Sequence, residues 1–125
     1  MKKTLNENIG AVEYDGLIVA NEPVADVVTV KLKAGGPGLI LMRGTVVTGA
    51  AGAELAPASA ALSATNGTYI LTDDTDVTAG AVATAYRTGH FARNKLRTDG
   101  KYTLTAADEE ILRNAGILLS DAIEY

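Results

Sequence analysis

From Val28 onward apolar and polar residues alternate one for one, with Val28, Val30 and Leu32 set against Thr29, Lys31 and Lys33. A two-residue period places those three apolar side chains on one face of an extended strand, which a helix would scatter around its axis. This part of the chain is therefore committed to a sheet with one covered and one wetter face. The same chemistry returns from Ala81 to Leu96, a long stretch rich in Val, Thr, Tyr and Phe. Val82, Thr84, Tyr86 and Thr88 fall on one strand face there, Ala81, Ala83, Ala85 and Arg87 on the other, and Gly89 is expected to bend it.

Turn formers punctuate what lies between. Leu17-Ile18-Val19-Ala20 is a short apolar run ended by Asn21-Glu22-Pro23, and Gly35-Gly36-Pro37-Gly38 has to be a turn or loop. Leu39 to Met42 and Val46-Val47 flank Arg43-Gly44-Thr45, which predicts two strands or one strand bulged at Gly44. Gly49 to Ala64 is rich in Ala, yet Gly52, Pro57 and Ser59 interrupt any helix, so an irregular connection with one short strand is expected. Asn66-Gly67 signals a turn ahead of the strand Thr68 to Thr72, and Asp73 to Gly80 is turn-rich again. One helix is expected near the end. Thr105 can cap it, with Asp108 as the acidic half of a capping box, and Asp108, Glu109 and Glu110 suit the positive end of the helix dipole. Ala107, Ile111, Leu112 and Ala115 form its apolar face, Glu109 and Arg113 stand at pairing distance, and Gly116 suits the left-handed stop. Ile117-Leu118-Leu119 then reads as a last strand.

The fold class that follows is mainly β with one short C-terminal helix. At 125 residues the chain is expected to form one domain. The expected core is Val28, Val30, Leu32, Val46, Ile70, Val82, Tyr86, Ile111 and Leu112. With Trp absent and Phe present once, such a core is thin per residue, which points to association as a further source of stability. Residues 1–16 carry Lys2, Lys3, Asn6, Glu7, Asn8, Glu13 and Asp15 around isolated apolar side chains, and no period holds; a flexible N-terminal arm is expected, with 17–125 as the domain.

Without cysteine there is no disulfide framework, thiolate metal site or cysteine nucleophile. A net charge of −4 does not favour phosphate binding, so no direct contact with nucleic acid is expected. No apolar run approaches the roughly 18 residues of a membrane helix, and Lys2-Lys3 is followed by no signal-peptide core, so synthesis in the cytoplasm and no membrane partner are expected. His90 is the sole histidine and lacks a second histidine or a cysteine to share a metal. Asp73-Asp74-Thr75-Asp76 is acid-dense, but an EF-hand counted from Asp73 would need Gly and Glu where Thr78 and Thr84 stand. Gly35 to Gly38 lacks the Lys-Ser/Thr of a phosphate loop, Asn66-Gly67-Thr68 is a glycosylation triplet common by chance, and no Gly-x-Ser-x-Gly elbow occurs. The residues predict no catalytic site, metal or cofactor.

Three stretches, taken in order, resemble the lambda-type head decoration proteins of tailed bacteriophages. These are Leu17 to Ala20 followed by a strand and Leu41-Met42-Arg43-Gly44-Thr45-Val46-Val47; Tyr69 to Asp76; and Ala81 to Leu96 with Asp108 to Leu119. The likeness spans about Leu17 to Leu119 and lies in order and spacing, each motif being loose. Where that family often has Gly directly before its Ile/Val-Leu segment, Thr68-Tyr69 intervene here after Gly67. The resemblance implies a small barrel-like (β-tulip-like) domain, a homotrimer at three-fold positions outside the expanded capsid, and an arm that contacts the major capsid protein. Leu5, Ile9, Tyr14, Leu17 and Ile18 are the expected contact residues. Two other readings stay open: a different β-rich structural module (a phage fibre or tail component, or a cell-surface domain), and a small β-fold enzyme or ligand-binding protein with a pocket around His90 and the acids at 73–76.

Overall fold

Val46 and Val47 are neighbours in sequence and both fully buried, as are Ile70 and Leu71. Adjacent strand residues point to opposite faces, so the sheet carrying them has to be covered on both sides. This is what the computed structural model, which describes residues 16–20, 23–99 and 102–121, contains. Among these residues the strands are β1 (Ile18–Ala20), β2 (Asp26–Leu32), β3 (Ile40–Leu41), β4 (Val46–Gly49), β5 (Ala56–Pro57), β6 (Gly67–Leu71), β7 (Thr75–Asp76), β8 (Ala81–Ala92) and β9 (Ile117–Ser120), with helix α1 (Ala106–Asn114) and a 3-10 turn at Arg93–Lys95. The chain is mainly β with one short C-terminal helix, as its patterning predicts. The sheets stay open and do not close into a barrel.

β8 organises the sheet. Its first half pairs antiparallel with β2 and, at Ala85 and Tyr86, with β6; its second half pairs antiparallel with β1 and parallel with β9. β4 joins β6 and β5 extends the sheet beyond it, while β3 and β7 form a separate two-stranded ribbon. On one face Val46, Ile70, Phe91 and Ile117 pack with Leu17, Leu62 and Leu112, and Tyr86 and Ile111 lean on them. On the other, Val30, Leu32, Val47, Leu71 and Ala85 pack under Leu41 and Val77 from the ribbon region, with Val28 at the edge. Eight of the nine expected core residues thus lie in or against these two clusters.

Val82 does not. It is 68% exposed, because the inward face of early β8 is Ala81, Ala83 and Ala85. Those small side chains face Leu32, Val30 and Val28 across the β2 ladder, where β2 already supplies the bulk. The phase then changes. Asp26 pairs with Thr88 and Val27 with Tyr86, so Arg87 is an extra residue, a bulge. That shift puts Tyr86 and Phe91, five residues apart, on one face with ring centroids 5.3 Å apart. An even alternation along β8 could not reveal this.

Gly44 separates β3 from β4, so the two-strand reading holds. Its φ is +94°, its N–H donates to the Leu71 carbonyl (3.0 Å) and its carbonyl accepts from Arg97 N–H (3.0 Å). A Cβ there would lie 2.7 Å from the Lys95 carbonyl oxygen. Gly44→Ala should therefore lower stability by about 2 kcal/mol or more, read as a lower urea midpoint at unchanged slope. The expected turn at Asn66-Gly67 falls slightly earlier: Asn66 N–H closes on the Ser63 carbonyl (3.1 Å), and Gly67 already begins β6. Past Gly49, which ends β4, the stretch to Ala64 holds the one short strand β5, as expected.

Candidate functional site

The C-terminal half of β8, β9 and α1 bring a set of polar and charged side chains together around a groove. His90 Nε2 lies 3.0 Å from Ser120 Oγ across the parallel β8–β9 pair. Arg93, just past β8, reaches Glu109 on α1 (2.8 Å) and Asp121 after β9 (2.5 Å), and both bonds hold its guanidinium proton more tightly than usual. Arg113 pairs with Glu110 one turn back, so the expected Glu109–Arg113 pair is replaced by two others. A shallow groove of about 550 Å³ runs between these groups, with Leu118 and Leu119 on its wall. The charges in it are matched cation to carboxylate, and the described partner of the His90 ring is a hydroxyl. Base catalysis by His90 would need an orienting acid on the ring's other nitrogen, and the described hydrogen bonds supply only Ser120.

The acids at 73–76 do not converge. Asp73 accepts from Thr72 Oγ1 (3.1 Å), Asp74 from Arg43 N–H (2.8 Å) and Asp76 from Thr78 N–H (2.9 Å). The bonds from Thr78 hold the Asp76 carboxyl below its ordinary range. Only the Asp76 contact is of the Asx-turn kind; Asp73 bonds its neighbour's hydroxyl, and Asp74 ties this turn to the distant Arg43 backbone. Among the described residues no three His, Asp or Glu side chains are grouped to hold a metal ion. The Gly35–Gly38 segment is a turn, with Gly36 and Gly38 at positive φ and Gly38 N–H donating to Thr78 Oγ1 (3.0 Å).

Of the expected contact residues, Leu5, Ile9 and Tyr14 lie outside the described residues, as does the arm up to residue 15. Leu17 corrects the expectation. It is 2% exposed, its side chain sits in the first core cluster, and its carbonyl accepts from Ala92 N–H (2.7 Å). Ile18 is half-buried beside Phe91. Both belong to the domain, and the Leu17 side chain is taken up by the domain's own core.

The surface residues that sequence reasoning missed are apolar. Val24, Val27 and Val82 are exposed around β2 and β8, and Leu39, Ile40 and Met42 around β3. The second set borders a cleft of about 460 Å³ that continues past Pro57 to Arg97 and Asp99. A signal was present. Four consecutive apolar residues between the Gly35–Gly38 turn and Arg43-Gly44 cannot all point inward from one strand; here Leu41 alone is buried. Arg43, next in sequence, bonds the Thr72 carbonyl (2.8 Å) and Tyr86 Oη (3.0 Å) and so fixes this edge to the main sheet. In comparisons with protein-family models, curated proteins and solved structures, nothing matches the chain.

Proposed function

We propose that this protein is a structural component of the head-decoration type, a homotrimer on the outside of an expanded phage capsid that binds the major capsid protein and stabilises the shell against packaged DNA. The observation that carries the reading is the surface chemistry: large apolar side chains stand exposed in two groups on a small β domain. Such a surface is suited to occupying and bridging other surfaces. Three copies would present three equivalent contacts to a symmetric site, and linked contacts raise avidity through effective concentration. Preference for the expanded shell would stabilise that state by mass action. The net charge of −4 suits an exterior position away from nucleic acid.

The test removes residues 1–16. Among the described residues the buried core starts at Leu17, and the truncated chain keeps all of it, so its circular dichroism and urea midpoint should be retained. Its binding to expanded shells, measured by sedimentation with saturating protein, should weaken about a hundredfold or more as the linked contacts are lost. Decoration at undiminished affinity by the truncated chain would remove the arm from this reading; failure of the full chain to bind expanded shells would remove the reading itself.

A further inference from the structure

We infer that the two exposed apolar patches are the two halves of one head-to-tail interface between copies of this chain, resting on the trimer proposed above. Their placement follows from strand alternation. Early β8 turns Ala81, Ala83 and Ala85 into the second core cluster, so Val82 points out of the opposite face of the main sheet. Val27, paired with Tyr86, shares that face. Ile40 points outward from the β3–β7 ribbon, whose Leu41 covers the second cluster from the other side. The patches therefore look out from opposite sides of the domain.

Their charged margins are opposite too. Lys31 stands directly across from Val82 on the β2–β8 ladder, and Lys33 follows it; the nearby Arg87 is already paired with Asp26. Asp76 stands directly across from Ile40 on the β3–β7 ladder, with Asp73 and Asp74 exposed in the same turn. Arg97 and Asp99, at the far rim of the Ile40 patch, carry charges that offset each other. Exposed Glu54, next to Leu55 whose backbone bonds both Lys31 and Lys33, offsets one of these cations, which leaves the first margin net cationic and the second anionic. A two-fold dimer needs one self-complementary patch, whereas a closed ring of three needs two different patches that fit each other. Complementary fringes favour the unlike pairing and disfavour like against like.

Val82→Asp and Ile40→Asp, both at exposed positions, test this by mass in solution, with circular dichroism confirming an unchanged fold. Each variant alone should lose the three-chain species, since every junction in its ring lacks one half. Mixed in equal amounts, they should form a complex of about twice the 12.9 kDa chain mass, because the intact Ile40 patch of one meets the intact Val82 patch of the other at a single junction. If either variant alone keeps the wild-type assembly, or the mixture stays at single-chain mass, the interface is wrong while the trimer stands. A wild-type protein that runs as a single chain would overturn both. Lys31→Glu, which leaves the apolar contact intact, should still weaken wild-type assembly about tenfold at low ionic strength and less at high salt; no change would remove the charge fringe from the interface.

Discussion

Replacing Asp108 by Ala is expected to lower the stability of the domain by about 2–4 kcal/mol, which is a large part of what a domain of this size has. Asp108 is 1% exposed and sits at the third position of α1. One carboxylate oxygen accepts from Leu62 N–H (2.9 Å) and the other from Thr105 N–H (2.9 Å) and the Tyr102 hydroxyl. In return Thr105 Oγ1 accepts from Asp108 N–H (3.2 Å), completing a capping box. The single side chain therefore ties the helix start to the loop before β6 and to the segment before the helix. Loss of an ordinary cap costs about 1 kcal/mol. Here the Leu62 amide would also be left buried without an acceptor, at about 1–3 kcal/mol, while the Thr105 amide, on an exposed residue, can turn to water.

The same residue sets an acid limit. Burial alone would raise its pKa, but the bonds from Tyr102, Thr105 and Leu62 outweigh that and hold it below the usual 3.8. A carboxyl whose folded-state pKa lies under its unfolded value contributes stability that is complete above the unfolded value. That contribution is lost as pH falls through the folded one. The stability gap between wild type and Asp108→Asn, measured by urea titration, should thus be constant from neutral pH down to about 5 and narrow below about 4. A gap that widened on acidification would contradict the bonding scheme. Tyr102 registers the same contact from the other side, its hydroxyl pKa being raised first by the bond to Asp108.

That helix start was legible in the sequence because capping is local chemistry, carried by residues three apart. The β2 alternation was legible for a similar reason, since its period and its burial agree from Val28 to Leu32. What could not be read was where the period breaks. Arg87 carries no mark that distinguishes a bulge from an ordinary outward residue, yet it decides that Tyr86 and Phe91 share a face. The misplacement of Val82 has the same origin. The larger side chains of a strand were expected to be inside, but which face is inside depends on what the neighbouring strand brings, and β2 brings Val28, Val30 and Leu32. The apolar surface groups were hidden likewise, because exposure of Ile40 follows from a ribbon that forms between residues 36 positions apart in the chain. The candidate interface was thus absent from the sequence reading, whereas the turn role expected of the acids at 73–76 holds for Asp76 but not for Asp74, which bonds the distant Arg43.

Phe91→Ala should cost about 3–5 kcal/mol, a loss comparable to that at Asp108 but reached through packing. Phe91 is the only phenylalanine in the chain and is fully buried where β1, β8 and β9 meet. It touches the first cluster formed with Leu17, Val46, Ile70, Leu112 and Ile117, and its ring leans on Tyr86 at 47°. Among the described residues the other fully buried apolar side chains are aliphatic, and Phe91→Leu, which keeps most of the volume, should cost only about 1–1.5 kcal/mol. The ring also explains Gly89. A Cβ at that position would stand 2.5 Å from Phe91 Cζ, and the backbone there has φ +152°. Gly89→Ala should therefore be strongly destabilising in the wild type and clearly less so in a Phe91→Ala background. The two costs should fall short of additivity by more than about 0.5 kcal/mol in a double-mutant cycle measured by urea unfolding at one protein concentration. Strict additivity would mean that Gly89 is required by its backbone angle alone and that the ring does not rest on it.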